Sequence, residues 1–237
     1  MSNFSPKVER FANPEHLSTA AAEKFVITAR AAIASRERFT VALSGGSTPQ
    51  RLYRLLAGPP FREQVDWRKV EFFWGDERAA APDHPDSNFH MANEALLKKL
   101  KLQPGQIHRI QAEREDQEAA ARDYQTEIAR VFEVPEQGEP PSFDLILLGL
   151  GPDGHTASLF PYTDAVMEGK RWVVRNFVPK LNSSRITMTA AIINRAKMIL
   201  FLVAGADKAE ALPAVLNGPK DPERLPAQLI QPTGGSV

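Results

Sequence analysis

The sequence predicts an α/β fold, a single domain with a doubly wound, mostly parallel sheet and helices on both faces. Three observations support this prediction. The extended runs are nearly unbroken apolar segments, as expected of strands that helices cover on both sides. These runs alternate with segments of helical periodicity. The 237 residues are enough for one large core, and no linker or fixed-period repeat divides them, so we expect residues 1–237 to form one domain.

Composition limits the classes of partner. Twenty-nine basic and 29 acidic residues give a formal net charge of zero, so no overall field favours nucleic acid or an anionic membrane. The first residues lack the apolar core of a signal peptide, and the longest aliphatic run, residues 198–204, is too short to span a bilayer. The absence of cysteine excludes thiolate metal sites and cysteine nucleophiles. We expect a cytoplasmic protein, a monomer or weak dimer, with a small-molecule partner.

The first elements are a helix and a buried strand. Asn13 and Pro14 are typical of an N-cap and a first helical position, and an Ala-rich helix follows them. The apolar run Phe39–Leu43 (FTVAL) then predicts a strand that is buried on both faces. Both elements are expected to supply core packing rather than chemistry.

The segment SGGSTP at residues 44–49 connects this strand to a helix predicted over residues 50–56, with Thr48 as its N-cap. Glycines and hydroxyls before a helix leave several backbone N–H groups directed at one point, which suits a phosphate. The candidate anion ligands are therefore Gly45, Gly46, Ser47 and Thr48, with Ser44 as a supporting residue. The alternative is a plain glycine turn.

The second strand, Val70–Trp74 (VEFFW), leads through Gly75 into three adjacent charges. Carboxyl ends of parallel strands meet at one edge of the sheet, where open α/β sheets bind ligands. Arg78 is therefore a candidate anion ligand, with Asp76 and Glu77 in support; the alternative is a solvated loop. Downstream, Ser87 or Asn88 is expected to cap the next helix, and Asn88 is a further supporting candidate.

The middle of the chain offers little chemistry before residue 143. Residues 107–110 predict a short strand, and a helix is predicted from about residue 117 to residue 132. His84 and His90 have no companions at metal-ligand spacing, so we interpret them as surface residues and predict no metal site.

Residues 143–161 (FDLILLGLGPDGHTASLFP) join a buried strand to a polar turn, on which we expect the chemistry to centre. Asp153 and His155 are its ionisable groups, and Gly151 and Gly154 permit close backbone approaches. The glycines also match G-x-G-x-x-G, but Pro161 should cut the following helix short, and Val174 and Arg175 stand where a dinucleotide fold needs an acid. We therefore predict no dinucleotide cofactor.

The last third of the chain adds two cations to this edge. Extended runs are predicted over residues 172–178 and 185–189, the second beginning with Arg185. A strand over residues 198–204 is followed by Lys208, which begins a helix predicted to end near Leu216. A histidine with a nearby carboxylate, phosphate-type loops and three cations suits acid/base chemistry on a phosphorylated metabolite. No G-x-S-x-G nucleophile elbow is present.

Six motifs carry a resemblance to a known family. They are SGGSTP at 44–49, GDER at 75–78, DSN at 86–88, GLGPDGHTASLFP at 149–161, RIT at 185–187 and VAGADKAEAL at 203–212. In this order they resemble the 6-phosphogluconolactonases, from about Asn13 to the end of the chain. The related glucosamine-6-phosphate deaminases read more like DGHIAFNEP in the central segment, so the resemblance favours the lactonases.

The resemblance implies a Rossmann-like sheet of the sugar-phosphate isomerase/deaminase type. It also implies hydrolysis of 6-phosphoglucono-δ-lactone to 6-phosphogluconate in the oxidative pentose phosphate pathway, without a metal or organic cofactor. His155 would act as the base and Asp153 would orient it. Arg78, Arg185, Lys208 and the backbone of residues 45–48 would bind the phosphate or the developing oxyanion. A deaminase-type enzyme and a non-catalytic sugar-phosphate sensor are the alternatives.

Two positions depart from the family pattern. Tyr162 stands where the family commonly has Gly after LFP, so the exit from this segment is expected to differ. Relatives usually continue past the segment that ends at Val237, so the last strand and short helix of the family are expected to be missing.

Overall fold

Seven strands form two separate sheets in the computed structural model, which describes residues 6–237. The strands are β1 (Phe39–Leu43), β2 (Val70–Trp74), β3 (Asp76–Arg78), β4 (Leu145–Leu148), β5 (Val173–Val178), β6 (Ser183–Met188) and β7 (Ile199–Phe201). The α-helices are α1 (Pro14–Arg36), α2 (Ser47–Leu56), α3 (Asn88–Ala95), α4 (Gln117–Phe132), α5 (Asp164–Met167), α6 (Ala190–Ile193) and α7 (Ala211–Asn217). Short 3-10 turns lie at Phe61–Gln64, Trp67–Lys69, Leu97–Lys99, Pro179–Leu181, Ala206–Lys208 and Pro226–Leu229.

The central sheet is parallel and has the order β2-β1-β4-β7. All five residues of β1 are buried, and since successive side chains point to opposite faces, both faces of the sheet are covered. The predicted parallel sheet is confirmed, with the bounds of β1 and β2 as expected. Isolated parallel bridges, Phe72 to Ile107 and Met198 to Ser236, lie beside β2 and β7.

The second sheet is antiparallel, in the order β3-β6-β5. The solvated loop that was the alternative for residues 76–78 is wrong, because these residues form β3. Gly75 makes this possible: its N–H donates to Leu43 of β1 (2.9 Å), and its carbonyl accepts from Met188 of β6 (2.8 Å). The chain therefore passes from the parallel to the antiparallel sheet within one residue.

The predicted helices are confirmed at α1 and α4 and differ from the structure at α2 and α7. Asn13 accepts a hydrogen bond from the His16 N–H (2.9 Å) and caps α1 as predicted, and the bounds of α4 are also as predicted. Helix α2 begins earlier than expected, with Gly46 rather than Thr48 at the N-cap. Lys208 lies in a 3-10 turn before α7 rather than in the helix itself.

Two short elements differ from the prediction. Residues 107–110 form no strand; only Ile107 bridges to Phe72. The segment before Pro161 is a tight turn closed by a Thr156–Leu159 bridge rather than a short helix. The Thr156 hydroxyl donates to the Gly149 carbonyl (2.8 Å), which holds this turn against the end of β4.

The core contains one main apolar cluster with aromatic side chains at its centre. Phe73 of β2 packs edge-on against Phe143 (5.1 Å between ring centroids), and Phe143 packs against Phe132 of α4 (4.8 Å). Among residues 6–237 we find no helix with the length and apolar character needed to cross a membrane.

Candidate functional site

The turn after β4 places His155 against Asp153. The Nδ1 atom of His155 lies 2.5 Å from Oδ1 of Asp153, which leaves Nε2 as the ring nitrogen that is able to accept a proton. The second carboxylate oxygen of Asp153 accepts from the ammonium group of Lys180 at 2.8 Å. Burial opposes ionisation of Asp153, but the bonds from His155 and Lys180 outweigh it and hold the pKa of that carboxyl well below its usual range.

Gly151 and Gly154 shape this turn for different reasons. A Cβ on Gly151 would lie 1.9 Å from His155 Nδ1, so the imidazole packs directly on the Gly151 backbone. The Gly151 N–H also donates to the His155 carbonyl (2.8 Å). Gly154 has φ +78°, and its carbonyl accepts from Ala227 N–H (2.9 Å). Gly151 therefore sets the position of the imidazole, and Gly154 ties the turn to the segment around Ala227.

Phe160 connects the histidine to a cation. The imidazole of His155 stacks on the Phe160 ring with 4.0 Å between centroids, and the Arg185 guanidinium carbon lies 5.6 Å from the centroid of the same ring. Phe160 itself is buried, at 5% exposure. The aromatic ring therefore sets the spacing between the proton acceptor and Arg185.

Arg185 and Arg78 are directly opposite one another on β6 and β3. Opposed residues of an antiparallel pair point to the same face, so the two guanidinium groups share one side of the sheet. Burial and the adjacent Arg78 lower the pKa of Arg185, against the opposing effect of nearby carboxylates, while a guanidinium stays charged in proteins. Among the described residues, no acceptor bonds to the buried Nε atom of either arginine.

Asp76 lies on the same face as this arginine pair, two residues before Arg78 on β3. Its carboxylate accepts from the Ser158 hydroxyl (2.7 Å), and Asn88 Nδ2 donates to its backbone carbonyl (2.9 Å). Asp76 therefore ties the turn after β4 to β3 rather than projecting free into the site.

Glu77 points to the opposite face and anchors α3. Its carboxylate accepts from the N–H groups of Asn88 (2.7 Å) and Phe89 (2.8 Å) and from the Ser87 hydroxyl (3.1 Å). Burial raises the pKa of Glu77, although these hydrogen bonds favour the charged form. Ser87 caps α3 by accepting from His90 N–H (3.1 Å), as one of the two predicted caps. Glu77 is thus placed as a structural anchor.

The glycine loop after β1 lies against Asn88. A Cβ on Gly45 would fall 1.9 Å from Asn88 Oδ1, so the amide packs on the loop backbone. Ser44 is held by buried Tyr53, whose hydroxyl accepts from Ser44 N–H (2.9 Å) and donates to its carbonyl (2.8 Å). Among the described residues no side chain caps α2, so Ser47 and Thr48 begin the helix with unpaired backbone N–H groups.

Lys208 lies beyond β7, the neighbour of β4 in the sheet. Its ammonium group pairs with the Asp207 carboxylate (2.7 Å), and its side chain is 20% exposed. Contacts thus join His155, Asp153, Phe160 and the arginine pair directly and join the glycine loop to them through Asn88, whereas Lys208 is placed near them by topology. In residues 6–237 no group of three His, Asp or Glu side chains is arranged to hold a metal ion.

Sequence reasoning missed Lys180 and Phe160. Lys180 lies in the 3-10 turn between β5 and β6, and no spacing pattern separates it from other surface lysines. Phe160 directly precedes Pro161 in the predicted short helix, and no pattern there marks it as a site residue. Pairing the two predicted runs, residues 172–178 and 185–189, as a hairpin would have placed Lys180 in the turn that connects them.

Comparisons with known proteins agree with this architecture. The family model described as "Glucosamine-6-phosphate isomerases/6-phosphogluconolactonase" matches residues 12–237. A Synechocystis protein named 6-phosphogluconolactonase is 44% identical over 232 residues, covering 98% of this chain and 93% of its own. A Nostoc protein of the same name is 41% identical over 204 residues, covering 86% of this chain and 82% of its own. The solved structure of 6-phosphogluconolactonase from Trypanosoma cruzi superposes with a TM-score of 0.86 at 30% identity, covering 99% of this chain and 93% of that one. The chain therefore belongs to the glucosamine-6-phosphate isomerase/6-phosphogluconolactonase family.

Proposed function

We propose that this protein hydrolyses 6-phosphoglucono-δ-lactone to 6-phosphogluconate, the second step of the oxidative pentose phosphate pathway. One observation carries the proposal: two half-buried arginines, whose Nε atoms have no hydrogen-bond partner within residues 6–237, lie beside a histidine–aspartate pair. Buried charged donors require an acceptor, which a phosphate or an oxyanion provides. The names of the Synechocystis, Nostoc and Trypanosoma cruzi relatives support the same substrate.

His155 acts as a general base in this proposal. Its Nε2 atom takes a proton from water as the water oxygen bonds to the lactone carbonyl carbon, and the carbonyl electron pair moves onto its oxygen. The bond between that carbon and the ring oxygen then breaks, and the imidazolium returns the proton to the ring oxygen. Asp153 holds the Nδ1 proton and stabilises the imidazolium between the two steps.

Two groups of donors are available for the two anionic positions of the reacting lactone. One is the Arg78–Arg185 pair, which is next to His155 through Phe160. The other is the start of α2 with the Gly45–Gly46 loop, supplemented by Lys208. Preorganised donors of this kind stabilise charge that develops in the transition state.

The test is the time course of acid production from fresh lactone, after subtraction of spontaneous hydrolysis. We expect the wild-type protein to accelerate it and His155→Ala to lose about a hundredfold or more of the rate, which is typical for loss of a general base. His16→Ala, at an exposed position on α1, is the matched control and should retain the rate. Wild-type protein that does not accelerate acid production would overturn the proposal. Ammonia release from glucosamine 6-phosphate would instead favour the deaminase alternative.

A further inference from the structure

Lys180 approaches the proposed base from a different part of the fold. It lies in the turn Pro179–Leu181, between β5 and β6 of the antiparallel sheet. Its ammonium group donates to Oδ2 of Asp153 at 2.8 Å, while Oδ1 of the same carboxylate holds His155 Nδ1 at 2.5 Å. Asp153 therefore bridges a cation and the imidazole, with one oxygen for each.

The two members of the Lys180–Asp153 ion pair differ in their exposure to solvent. The Lys180 side chain is 64% exposed, but that of Asp153 is only 21% exposed. An exposed lysine normally gains little from a surface ion pair. Here the partner carboxylate is constrained by the turn after β4, so the ion pair fixes the second oxygen of a group whose first oxygen is committed to His155.

We propose that Lys180 is a positioning residue for His155, acting through Asp153 to hold the carboxylate in place and to weaken its attraction for a proton on the imidazole. This inference rests on the proposed role of His155 as the base. With Lys180 present, one carboxylate oxygen of Asp153 keeps the Nδ1 proton of His155 in position while the other oxygen pairs with the Lys180 ammonium group. Lys180 thereby opposes the stabilisation that the carboxylate gives to the imidazolium, and its removal is expected to strengthen that stabilisation.

Other charges around His155 do not replace this contact. Asp153 lies in the same turn as His155. Arg185 of β6 and the opposed Arg78 of β3 lie on the other side of the Phe160 ring. The segment that packs on Gly154 carries the Arg224–Asp221 pair, which is exposed. Of the cations on these elements, Lys180 is the one bonded to the Asp153 carboxylate in the part of the chain that the structure describes.

The experiment compares Lys180→Met and Lys180→Arg by the pH dependence of kcat and KM on the lactone. We take the Lys180 charge to act on the imidazole across about 6 Å, with an effective dielectric constant between that of the protein surface and that of water. Loss of this charge should then shift the acid limb of the pH–kcat profile upward by about 0.5–1 pH unit. We expect kcat of Lys180→Met to fall several-fold at neutral pH with little change in KM, and Lys180→Arg to restore both. Lys69→Met, which removes a lysine paired with Glu37 before β2, is the control and should change neither.

Two further measurements separate the possible failures. In an Asp153→Asn background, Lys180→Met should produce no additional shift if Lys180 acts through Asp153. NMR titration of the His155 ring reports the same coupling without turnover, so it tests Lys180 even if the lactone proves to be the wrong substrate. An unchanged acid limb and ring titration in Lys180→Met would overturn the inference. A rise in KM without a shift would also overturn it, because Lys180 would then bind the substrate itself.

Discussion

Gly151→Ala tests the proposed catalytic geometry with a single added methyl group. The new Cβ would lie 1.9 Å from Nδ1, 2.1 Å from Cε1 and 2.7 Å from Cγ of His155. Ordinary van der Waals contact begins near 3.5 Å, so the ring must move by at least about 1.5 Å. Such a movement breaks the 2.5 Å contact between Nδ1 and Asp153 and disturbs the stacking on Phe160.

The expected effect is large on turnover and small on stability. Misplacement of a catalytic group by about 1 Å can cost about a hundredfold in rate, and we expect kcat/KM to fall by at least that factor. The imidazole is partly exposed and can rotate outward, so the loss of unfolding free energy should remain at the lower end of the roughly 1–3 kcal/mol typical of overpacking.

Gly149→Ala is the matched control because a Cβ at Gly149 would meet no atom of residues 6–237 within 4 Å. Both variants add the same methyl group within one turn, and the assay is lactone hydrolysis together with urea unfolding. We expect Gly149→Ala to retain wild-type kcat/KM. A Gly151→Ala protein with wild-type turnover would refute the assignment of the His155 position to catalysis.

Three other predictions concern stability. Tyr162 has φ +59° and is 71% exposed, so Tyr162→Gly should raise the unfolding free energy by about 0.5–1 kcal/mol in urea titrations, while Tyr162→Ala, which keeps a Cβ, should not. The folded pKa of Asp153 is depressed, so the stability that its carboxylate contributes is complete above the pKa of an unfolded Asp, about 4, and declines below it. In urea titrations, the difference in unfolding free energy between wild type and Asp153→Asn should therefore shrink as the pH falls from 6 to about 3. Glu77→Gln replaces an acceptor oxygen by a donor facing the α3 N–H groups, so it should lower the unfolding free energy by about 1–3 kcal/mol, measured in the same way.

The parallel sheet could be predicted because its signal is local. Runs such as FTVAL and VEFFW are apolar at every or nearly every position, and their bounds agree with β1 and β2. The antiparallel sheet could not, because β3 consists of Asp76, Glu77 and Arg78, whose side chains favour a solvent-exposed interpretation. Its stability comes from pairing with β6, more than a hundred residues further along the chain, which local sequence does not encode.

Local sequence also places His155 and Asp153 in one turn, since they are two positions apart, and the structure brings their side chains into contact. It does not distinguish Asp76 from Glu77, which are adjacent and equally charged. Strand alternation determines that difference: Asp76 faces the turn after β4 through Ser158, and Glu77 faces α3. Only the existence of β3 as a strand assigns the two carboxylates to different tasks.

The antiparallel sheet places two like charges directly opposite one another. Like charges placed directly opposite in an antiparallel pair destabilise it, and Arg78 and Arg185 are so placed. The nearby carboxylates are largely committed elsewhere: Glu77 to α3, and Asp76 to Ser158. An anionic ligand would relieve the repulsion that these contacts leave, so the free energy lost in folding becomes free energy available for binding. Because Gly75 hydrogen-bonds to both sheets, the residue that precedes this charged strand also fixes it against the parallel sheet, whose β4 leads into the turn that holds His155.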